Sequence, residues 1–167
     1  MTDKVLKEGR FAFDFSHSID AFVADKPQYN GLSAVDFIVE TEELHLFIEV
    51  KDPGNPNAHA PEVFIEKFID ELKTPAKVTG KFKDSLLKQL AQGRVFCHKP
   101  IVYVVVLEWH KFDKQQWQRT YDNIKNTMPS FKEDCFSSIK SIMFMMLDVG
   151  KFQKTFPMFK VTDITTQ

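Results

Sequence analysis

The most regular hydrophobic pattern in the chain lies at residues 44–51, where apolar and polar side chains largely alternate. Successive side chains of a strand point to opposite faces, so Glu49 and Lys51 share one face and the apolar residues flanking Glu49 share the other. Residues 33–40 alternate in a similar way, and only three polar residues separate the two segments. The pattern therefore predicts a β-hairpin.

A second apolar segment, residues 101–107, is mostly β-branched. Such a run is typical of a strand buried on both faces, as in the centre of a parallel sheet. Helical spacing predicts three longer helices, over 61–72, 82–92 and 113–128. Weaker patterns predict strands over 11–15, 141–149 and 155–164 and a short helix over 19–23. The sum is an α/β fold with a mixed central β-sheet flanked by helices.

Composition agrees with this fold and excludes some functions. The chain has 167 residues, of which 43% are hydrophobic and 27% charged, so a largely disordered chain is excluded. We expect a single domain over residues 1–167. With 22 basic and 23 acidic residues the formal net charge is −1, which excludes a general polycation.

The sequence also bears on location. It has no apolar run near the roughly 18 residues that span a membrane, and its first residues do not resemble a secretory signal. The two cysteines, Cys97 and Cys135, are far apart and lack metal-ligand spacing. We therefore expect a protein of the reducing cytoplasm with no membrane partner.

Three side chains of the predicted hairpin could carry chemistry: Asp36, Glu49 and Lys51. If the strand register brings Asp36 to the Glu49 face, two carboxylates and one ammonium group meet. Mg²⁺ takes oxygen ligands and often only one or two protein carboxylates, and a nearby lysine can neutralise charge that develops on a phosphate. A solvated face with a surface ion pair is the alternative that the residue types leave open.

Two segments of the hairpin, Ala34 to Val39 (AVDFIV) and Leu46 to Lys51 (LFIEVK), resemble the PD-(D/E)xK phosphodiesterase superfamily. That superfamily has the restriction-endonuclease-like fold, with an Asp on one strand and Glu-x-Lys at the end of the next. The predicted helix and buried strand that follow also resemble its core. The resemblance covers roughly residues 15–109 and implies a restriction-endonuclease-like core here.

The resemblance implies a role for each residue of the motif. Asp36 and Glu49 would bind Mg²⁺ or Mn²⁺ together with the Val50 carbonyl, and Lys51 would be the catalytic lysine. In that superfamily an acid from the preceding helix often completes the metal site, and a later helix supplies a Lys or Gln. By this analogy Asp20 would be the third acid, and either Lys88 or Gln89 would reach the active site.

Charge is distributed unevenly along the chain. Residues 36–72 hold ten acids and two bases, whereas residues 73–99 hold seven bases and one acid. Acids suit a metal site and bases suit a phosphate backbone. We expect the connection around Gly80 to be flexible and to contact phosphates through four residues: Lys77, Lys81, Lys83 and Arg94. Solvated lysines on a helix surface are the alternative explanation.

These observations predict a metal-dependent nuclease that hydrolyses nucleic-acid phosphodiester bonds. A catalytically inactive nuclease-fold module that binds nucleic acid or a protein partner is the alternative. The expected partner is nucleic acid, with DNA the first choice, although the residues do not separate DNA from RNA. A chain this short also leaves room for a homodimer or a partner subunit.

Overall fold

The computed structural model describes residues 4–25, 31–55, 61–96, 98–129 and 139–165. Cys97 and Cys135 lie outside these residues, so the prediction drawn from the cysteines is not tested. In the described part of the chain the elements are, in order, β1 (Val5–Glu8), β2 (Phe11–Asp14), β3 (Asp20–Val23), β4 (Phe37–Glu40), β5 (His45–Lys51), α1 (Pro61–Lys73), α2 (Pro75–Ala91), β6 (Ile101–Leu107), α3 (Lys114–Thr127), β7 (Ile142–Leu147), α4 (Val149–Thr155) and β8 (Lys160–Asp163).

The strands form two sheets. A five-stranded sheet has the order β3-β4-β5-β6-β7, and a three-stranded sheet has the order β1-β2-β8. The predicted hairpin is confirmed, since β4 and β5 pair antiparallel with Phe37 opposite Ile48. β5, β6 and β7 run parallel, which makes the larger sheet mixed. The predicted α/β class with a mixed central sheet flanked by helices is confirmed.

The five-stranded sheet is covered on both faces, which explains the uninterrupted apolar run in β6. All seven β6 residues are buried. One face packs against α1, α2 and α3, with Phe47 and Phe82 in contact at 5.3 Å between ring centroids. The other face packs against β2, β8 and α4, with Phe13 and Phe37 at 5.4 Å. Within the described residues no helix is long and apolar enough to cross a membrane.

The N-terminal predictions need two corrections. The helix predicted over 19–23 is wrong, because these residues form β3, which pairs with β4 so that Asp20 lies opposite Glu40. Sheet hydrogen bonds with a neighbouring strand outweigh the weak local preference for helix. The strand predicted over 33–40 begins only at Phe37, and Val35 packs on the helical face together with Ile38.

The second helix is longer than predicted. α2 begins at Pro75, a residue suited to the first helical turn, and includes Gly80 in its interior. The flexible connection predicted around Gly80 is therefore wrong, and the lysines near it lie on a helix. Leu86 on this helix is buried, whereas its neighbour Leu87 is 56% exposed.

The C-terminal segment also differs from its prediction. The strand predicted over 155–164 is confirmed only at β8, residues 160–163. α4 precedes it, and Asp148 caps α4 by accepting a hydrogen bond from the Lys151 amide. Pro157 lies in the turn between α4 and β8. The strands predicted over 44–51 and 101–107 are confirmed, and the strand predicted over 141–149 is confirmed at β7, residues 142–147. The helix predicted over 113–128 is confirmed as α3, which begins with a capping box formed by Asp113 and Gln116.

Candidate metal centre

The register left open by the sequence brings Asp36 to the end of the hairpin that carries Glu49. Asp36 immediately precedes β4, and its backbone N–H donates to the Ile48 carbonyl at 3.0 Å. Its side-chain Oδ2 accepts a hydrogen bond from the Val50 amide at 2.6 Å. Because Glu49 and Lys51 close β5, all three motif residues lie at one end of the same strand pair.

Glu49 is the most unusual side chain of this group. It is only 1% exposed, and its Oε1 pairs with Lys51 Nζ at 3.0 Å and Lys81 Nζ at 2.6 Å. Its Oε2 is buried and has no hydrogen-bond partner among the described residues. A buried acceptor without a partner costs about 1–3 kcal/mol, and more when it is charged. One oxygen of a buried carboxylate is thus free to bind a ligand.

Asp36 is the second side chain of this group whose surroundings favour a cation. Burial, and after it the negative charge of Glu49, raises the pKa of its carboxyl group to about 8, against the hydrogen bond from Val50. A carboxyl group whose ionisation is disfavoured in this way is stabilised as a carboxylate when a cation lies beside it.

Lys51 is held in its charged form. Its Nζ contacts Glu71 Oε2 at 2.5 Å in addition to Glu49. Burial alone would lower the pKa of Lys51, but the carboxylates of Glu49 and Glu71 keep it well above the ordinary lysine value. The side chain therefore stays an ammonium ion at any physiological pH.

The α2 lysine that reaches Glu49 is Lys81, which the sequence predicted as a phosphate contact. Lys88 and Gln89, the predicted candidates, are buried on α2, and Gln89 Nε2 lies 3.4 Å from Gln92 Oε1. Lys88 lies seven residues beyond Lys81, about 10 Å along the helix axis. Because α2 starts seven residues, about two turns, earlier than predicted, the residue that reaches Glu49 also comes earlier.

Two further acids approach the same end of the hairpin, Glu8 and Asp25. The β1–β2 turn packs on the loop after β5, since Arg10 Nε binds Asp52 Oδ2 at 2.9 Å. Although Glu8 is exposed as a residue, partial burial of its carboxyl group raises its pKa, and the charges of Glu49 and Asp25 raise it further.

Asp25 lies two residues after Val23, the last residue of β3. The N–H of Ala24 donates to the Asp36 carbonyl at 2.9 Å, which holds Asp25 beside Asp36. Oδ1 of Asp25 is buried with no hydrogen-bond partner among the described residues. A prediction that paired residues 20–25 with residues 35–40 as neighbouring strands would have indicated Asp25. No spacing in the sequence indicated Glu8.

Asp20, the predicted third acid, is not brought to this site. It lies at the other end of β3, opposite Glu40, and its Oδ2 accepts from Arg94 at 3.0 Å. Four residues of strand separate Glu40 from Asp36, about 13 Å. The prediction placed Asp20 on a helix. Asp20 instead lies on a strand, at the end that is far from Asp36 and Glu49.

The four predicted phosphate contacts separate into different environments. Lys77 and Lys83 are exposed on α2, and neither pairs with an acid in the described part of the chain. Lys81 binds Glu49. Arg94 is half-buried, pairs with Asp20 and lies over the Phe22 ring at 4.8 Å, so its charge is already engaged.

The oxygen donors at this site fit Mg²⁺ or Mn²⁺, which prefer carboxylate oxygens. The unpaired Oε2 of Glu49 and the raised pKa of Asp36 both favour a cation between them. Within the described residues, however, no group of three or more His, Cys, Asp or Glu side chains is already arranged to hold a metal ion. A cation bound by Asp36 and Glu49 would have to compete with Lys81 for Glu49.

Comparison with protein-family models, curated proteins and solved structures finds no match to this chain. The PD-(D/E)xK resemblance therefore rests on the two hairpin segments, and the restriction-endonuclease-like core stays a prediction. What the site can do has to be argued from its own geometry.

Proposed function

We propose that this protein is a metal-dependent nuclease whose active centre is the Asp36–Glu49 pair with Lys51 and Lys81. One observation carries the proposal. Glu49 is 1% exposed yet keeps one carboxylate oxygen without a partner, directly beside a second carboxyl group. A fold that needed only a structural ion pair would satisfy both oxygens, because buried polar groups are nearly always hydrogen-bonded.

Asp36 and Glu49 would hold a Mg²⁺ or Mn²⁺ ion, with the Val50 carbonyl as a possible third oxygen ligand. When bound, the ion would polarise a phosphoryl oxygen and lower the pKa of a water molecule at the site. The Val50 amide would keep Asp36 oriented, since it already donates to Asp36 Oδ2. A ligand fixed by the backbone of its own hairpin needs little reorganisation when a cation arrives.

Lys51 would act as a fixed positive charge. Because neighbouring carboxylates hold its pKa well above the ordinary value, it cannot serve as a general base at neutral pH. It can donate a hydrogen bond to the attacking water or to a phosphate oxygen as the charge on that oxygen grows. The proton lost by the water must therefore pass to another group or to solvent.

Lys81 would have two partners in turn. It binds Glu49 Oε1 at 2.6 Å, and its side chain is 29% exposed. A cation held by Glu49 would repel the Lys81 ammonium group, which could then turn to a substrate phosphate. This proposal replaces Lys88 and Gln89 with Lys81 as the helix residue at the active centre.

The proposed substrate is nucleic acid, and DNA is the first substrate to test. The exposed lysines Lys77 and Lys83 lie on the same helix as Lys81 and can contact a phosphate backbone. Action as a homodimer or with a partner subunit, and a cytoplasmic location, remain part of the proposal.

Incubation of the purified chain with labelled single-stranded and duplex DNA in Mg²⁺, Mn²⁺ or EDTA tests the function. We expect cleavage only with metal. Lys51→Ala should abolish cleavage and leave the circular dichroism spectrum unchanged, while Lys99→Ala, which removes a lysine paired with Glu40 at 2.7 Å, should cleave normally. Metal-dependent cleavage by purified Lys51→Ala would refute the mechanism.

A catalytically silent module that binds nucleic acid or protein is the second candidate. It is favoured by the two lysines that already neutralise Glu49 Oε1, which leave the fold without an obligatory cation. Isothermal titration with Mn²⁺ separates the two functions. Binding that is lost in Glu49→Gln supports the nuclease, and no binding at millimolar Mn²⁺ supports the silent module.

A further inference from the structure

A groove separate from the metal centre lies between α1 and α3. Its volume is about 450 Å³, within the size class of ligand-binding clefts, and it is lined by three cationic side chains, Lys73, Lys111 and Arg119, and by Trp109 and Phe112. We call this the α1–α3 groove. Among its lining residues there is no carboxylate. A concave site with an aromatic floor and cations at its rim suits a ligand that combines flat rings with negative charge.

The aromatic floor is held in place by core packing. Phe68 of α1 contacts Trp109 and Phe112, each at 6.1 Å between ring centroids. Trp109 is only 8% exposed and Phe112 is half-buried, so Phe112 offers the more accessible ring. Lys111 Nζ lies over the Trp109 ring at 5.4 Å. Bases stack on such rings whatever their sequence, because every base has a flat face.

The groove lies at the same edge of the sheet as the metal centre. Lys51 is in register with Leu107, the last residue of β6, and Trp109 follows two residues later. α1 separates the two features: Glu71 contacts Lys51 on one side of the helix, and Ile69 and Lys73 line the groove on the other. A helix with its side chains is about 10–12 Å wide, so a chain of a few nucleotides would span both.

Charges indicate the path between the groove and the metal centre. The outer side of α1 carries Glu66 and Asp70, which repel a phosphate backbone, and Asp70 forms an exposed ion pair with Lys73 at 3.3 Å. Cations continue instead around the carboxyl end of α1, from Lys73, its last residue, to Lys77 and Lys81, which lie four residues apart on one face of α2. Lys81 ends this series at Glu49.

We propose that the α1–α3 groove binds an unpaired strand of nucleic acid, which continues past the junction of α1 and α2 to the Asp36–Glu49 centre. The inference rests on the proposed nuclease function and names its substrate as a single strand or the unpaired end of a duplex. The groove's volume of about 450 Å³ suits a short unpaired stretch of the strand.

Fluorescence anisotropy with labelled dT12 tests this, using the Lys51→Ala background so that nothing is cleaved. The groove variant is Lys73→Ala/Lys111→Ala/Arg119→Ala, and the matched control is Lys140→Ala/Lys154→Ala/Lys160→Ala. All six side chains are exposed, and both variants lower the net charge equally. We expect the groove variant to raise Kd about tenfold or more and to reduce the salt slope by about two, whereas the control changes Kd less than about twofold.

Phe112→Leu removes the accessible ring and keeps every charge. It should weaken dT12 binding several-fold and leave binding of a blunt dT12–dA12 duplex unchanged. The inference is wrong if dT12 does not bind, if the groove and control variants weaken binding equally, or if the duplex binds more tightly than dT12 and loses affinity with the groove variant.

A small substrate separates failure of this inference from failure of the nuclease proposal. Thymidine 5′-(p-nitrophenyl) phosphate needs only the metal centre. A protein that carries the groove substitutions in the otherwise native chain should therefore hydrolyse this compound with Mn²⁺ at the native rate. If the native chain hydrolyses neither this compound nor DNA, the nuclease proposal fails, whereas the groove is judged by the dT12 affinities. If the groove substitutions change the hydrolysis of the small compound and the control substitutions do not, the groove acts through the metal centre, and the inference is wrong.

Discussion

The strands β3, β4 and β5 carry acidic side chains at both of their ends, and basic side chains lie beside them. The two ends differ in how the acids and bases are paired. At the Glu40 end, each acid has one basic partner: Asp20 pairs with Arg94 at 3.0 Å, and Glu40 pairs with Lys99 at 2.7 Å. At the Glu49 end, two lysines share one oxygen of Glu49, and the other oxygen has no partner in the described part of the chain.

The difference separates charges that hold the fold from charges that can perform a reaction. Lys99 also donates to the Thr41 carbonyl at 2.8 Å, so the Glu40 end ties the loop after α2 to the sheet. The Asp20–Arg94 and Glu40–Lys99 pairs are half-exposed and already satisfied, so a bound ligand would stabilise them little. The Glu49 end keeps a buried carboxylate oxygen and a carboxyl group of raised pKa, and a cation would stabilise both.

Removing one carboxylate from each end gives the largest expected contrast. Glu49→Gln should lose Mn²⁺ binding by isothermal titration and lower cleavage by about 10³-fold or more, since it removes a proposed metal ligand. Glu40→Gln has the same chemical change and should alter neither quantity. Equal Mn²⁺ affinity in the two variants would contradict the assignment of the metal centre.

The pH dependence of stability should also distinguish the two ends. Between the ordinary aspartate pKa of 3.8 and about 8, folded Asp36 keeps a proton that the unfolded chain has released. The free energy of unfolding of the metal-free protein should therefore fall as pH rises through this window, by at most about 1.4 kcal/mol per pH unit, and level off above it.

Urea unfolding at a series of pH values measures this slope, and Asp36→Asn should flatten it. The matched variant Asp20→Asn should leave the slope as it is. Because bound metal requires ionised Asp36, Mn²⁺ affinity should rise with pH up to about 8 and then become constant. An affinity that does not change over this range would mean that Asp36 is not a ligand.

Lys81→Ala should have a smaller effect on cleavage than loss of Glu49, about 10- to 100-fold, because Lys51 remains as a second cation. Lys83→Ala, which removes an exposed lysine two residues away, is the control and should cost much less. Steady-state cleavage of labelled DNA measures both. If Lys88→Ala, in a folded protein, reduced cleavage more than Lys81→Ala, the predicted Lys88 would regain its place at the active centre.

The smallest effect is expected at the Glu40 end. Arg94→Ala removes an ion pair whose carboxylate is 46% exposed and whose arginine also lies over Phe22. We expect a loss of about 1 kcal/mol or less in the free energy of unfolding by urea, together with unchanged Mn²⁺ affinity. A reduced Mn²⁺ affinity in this variant would show that the two ends are coupled.

The elements that could be predicted are those whose side-chain pattern reflects their own burial. The alternation in β5 and the apolar run in β6 predicted the positions of both strands. The alternation alone predicted that Glu49 and Lys51 share a face. The motif end of the hairpin was found because Asp36 and Glu49 lie on neighbouring strands.

Long-range pairing explains what could not be predicted. β3 is a strand because β4 lies beside it, and this moved the nearby acid from Asp20 to Asp25. Glu8 reaches the site through a turn docked by Arg10 on Asp52, a contact 42 residues apart. The contact of Lys81 with Glu49 was not predicted because Pro75 and Gly80 suggest a break in a segment that tertiary packing keeps helical.

The position of β5 in the sheet determines how the centre is lost on partial unfolding. β5 is the middle strand of five and is paired on both sides, so its amides should exchange with solvent only when the whole domain opens. Glu49 thus lies on the central strand of the five-stranded sheet, whereas Glu8 is the last residue of β1, an edge strand of the smaller sheet. Fraying of the β1–β2 turn would remove Glu8 and leave the Asp36–Glu49 pair in place.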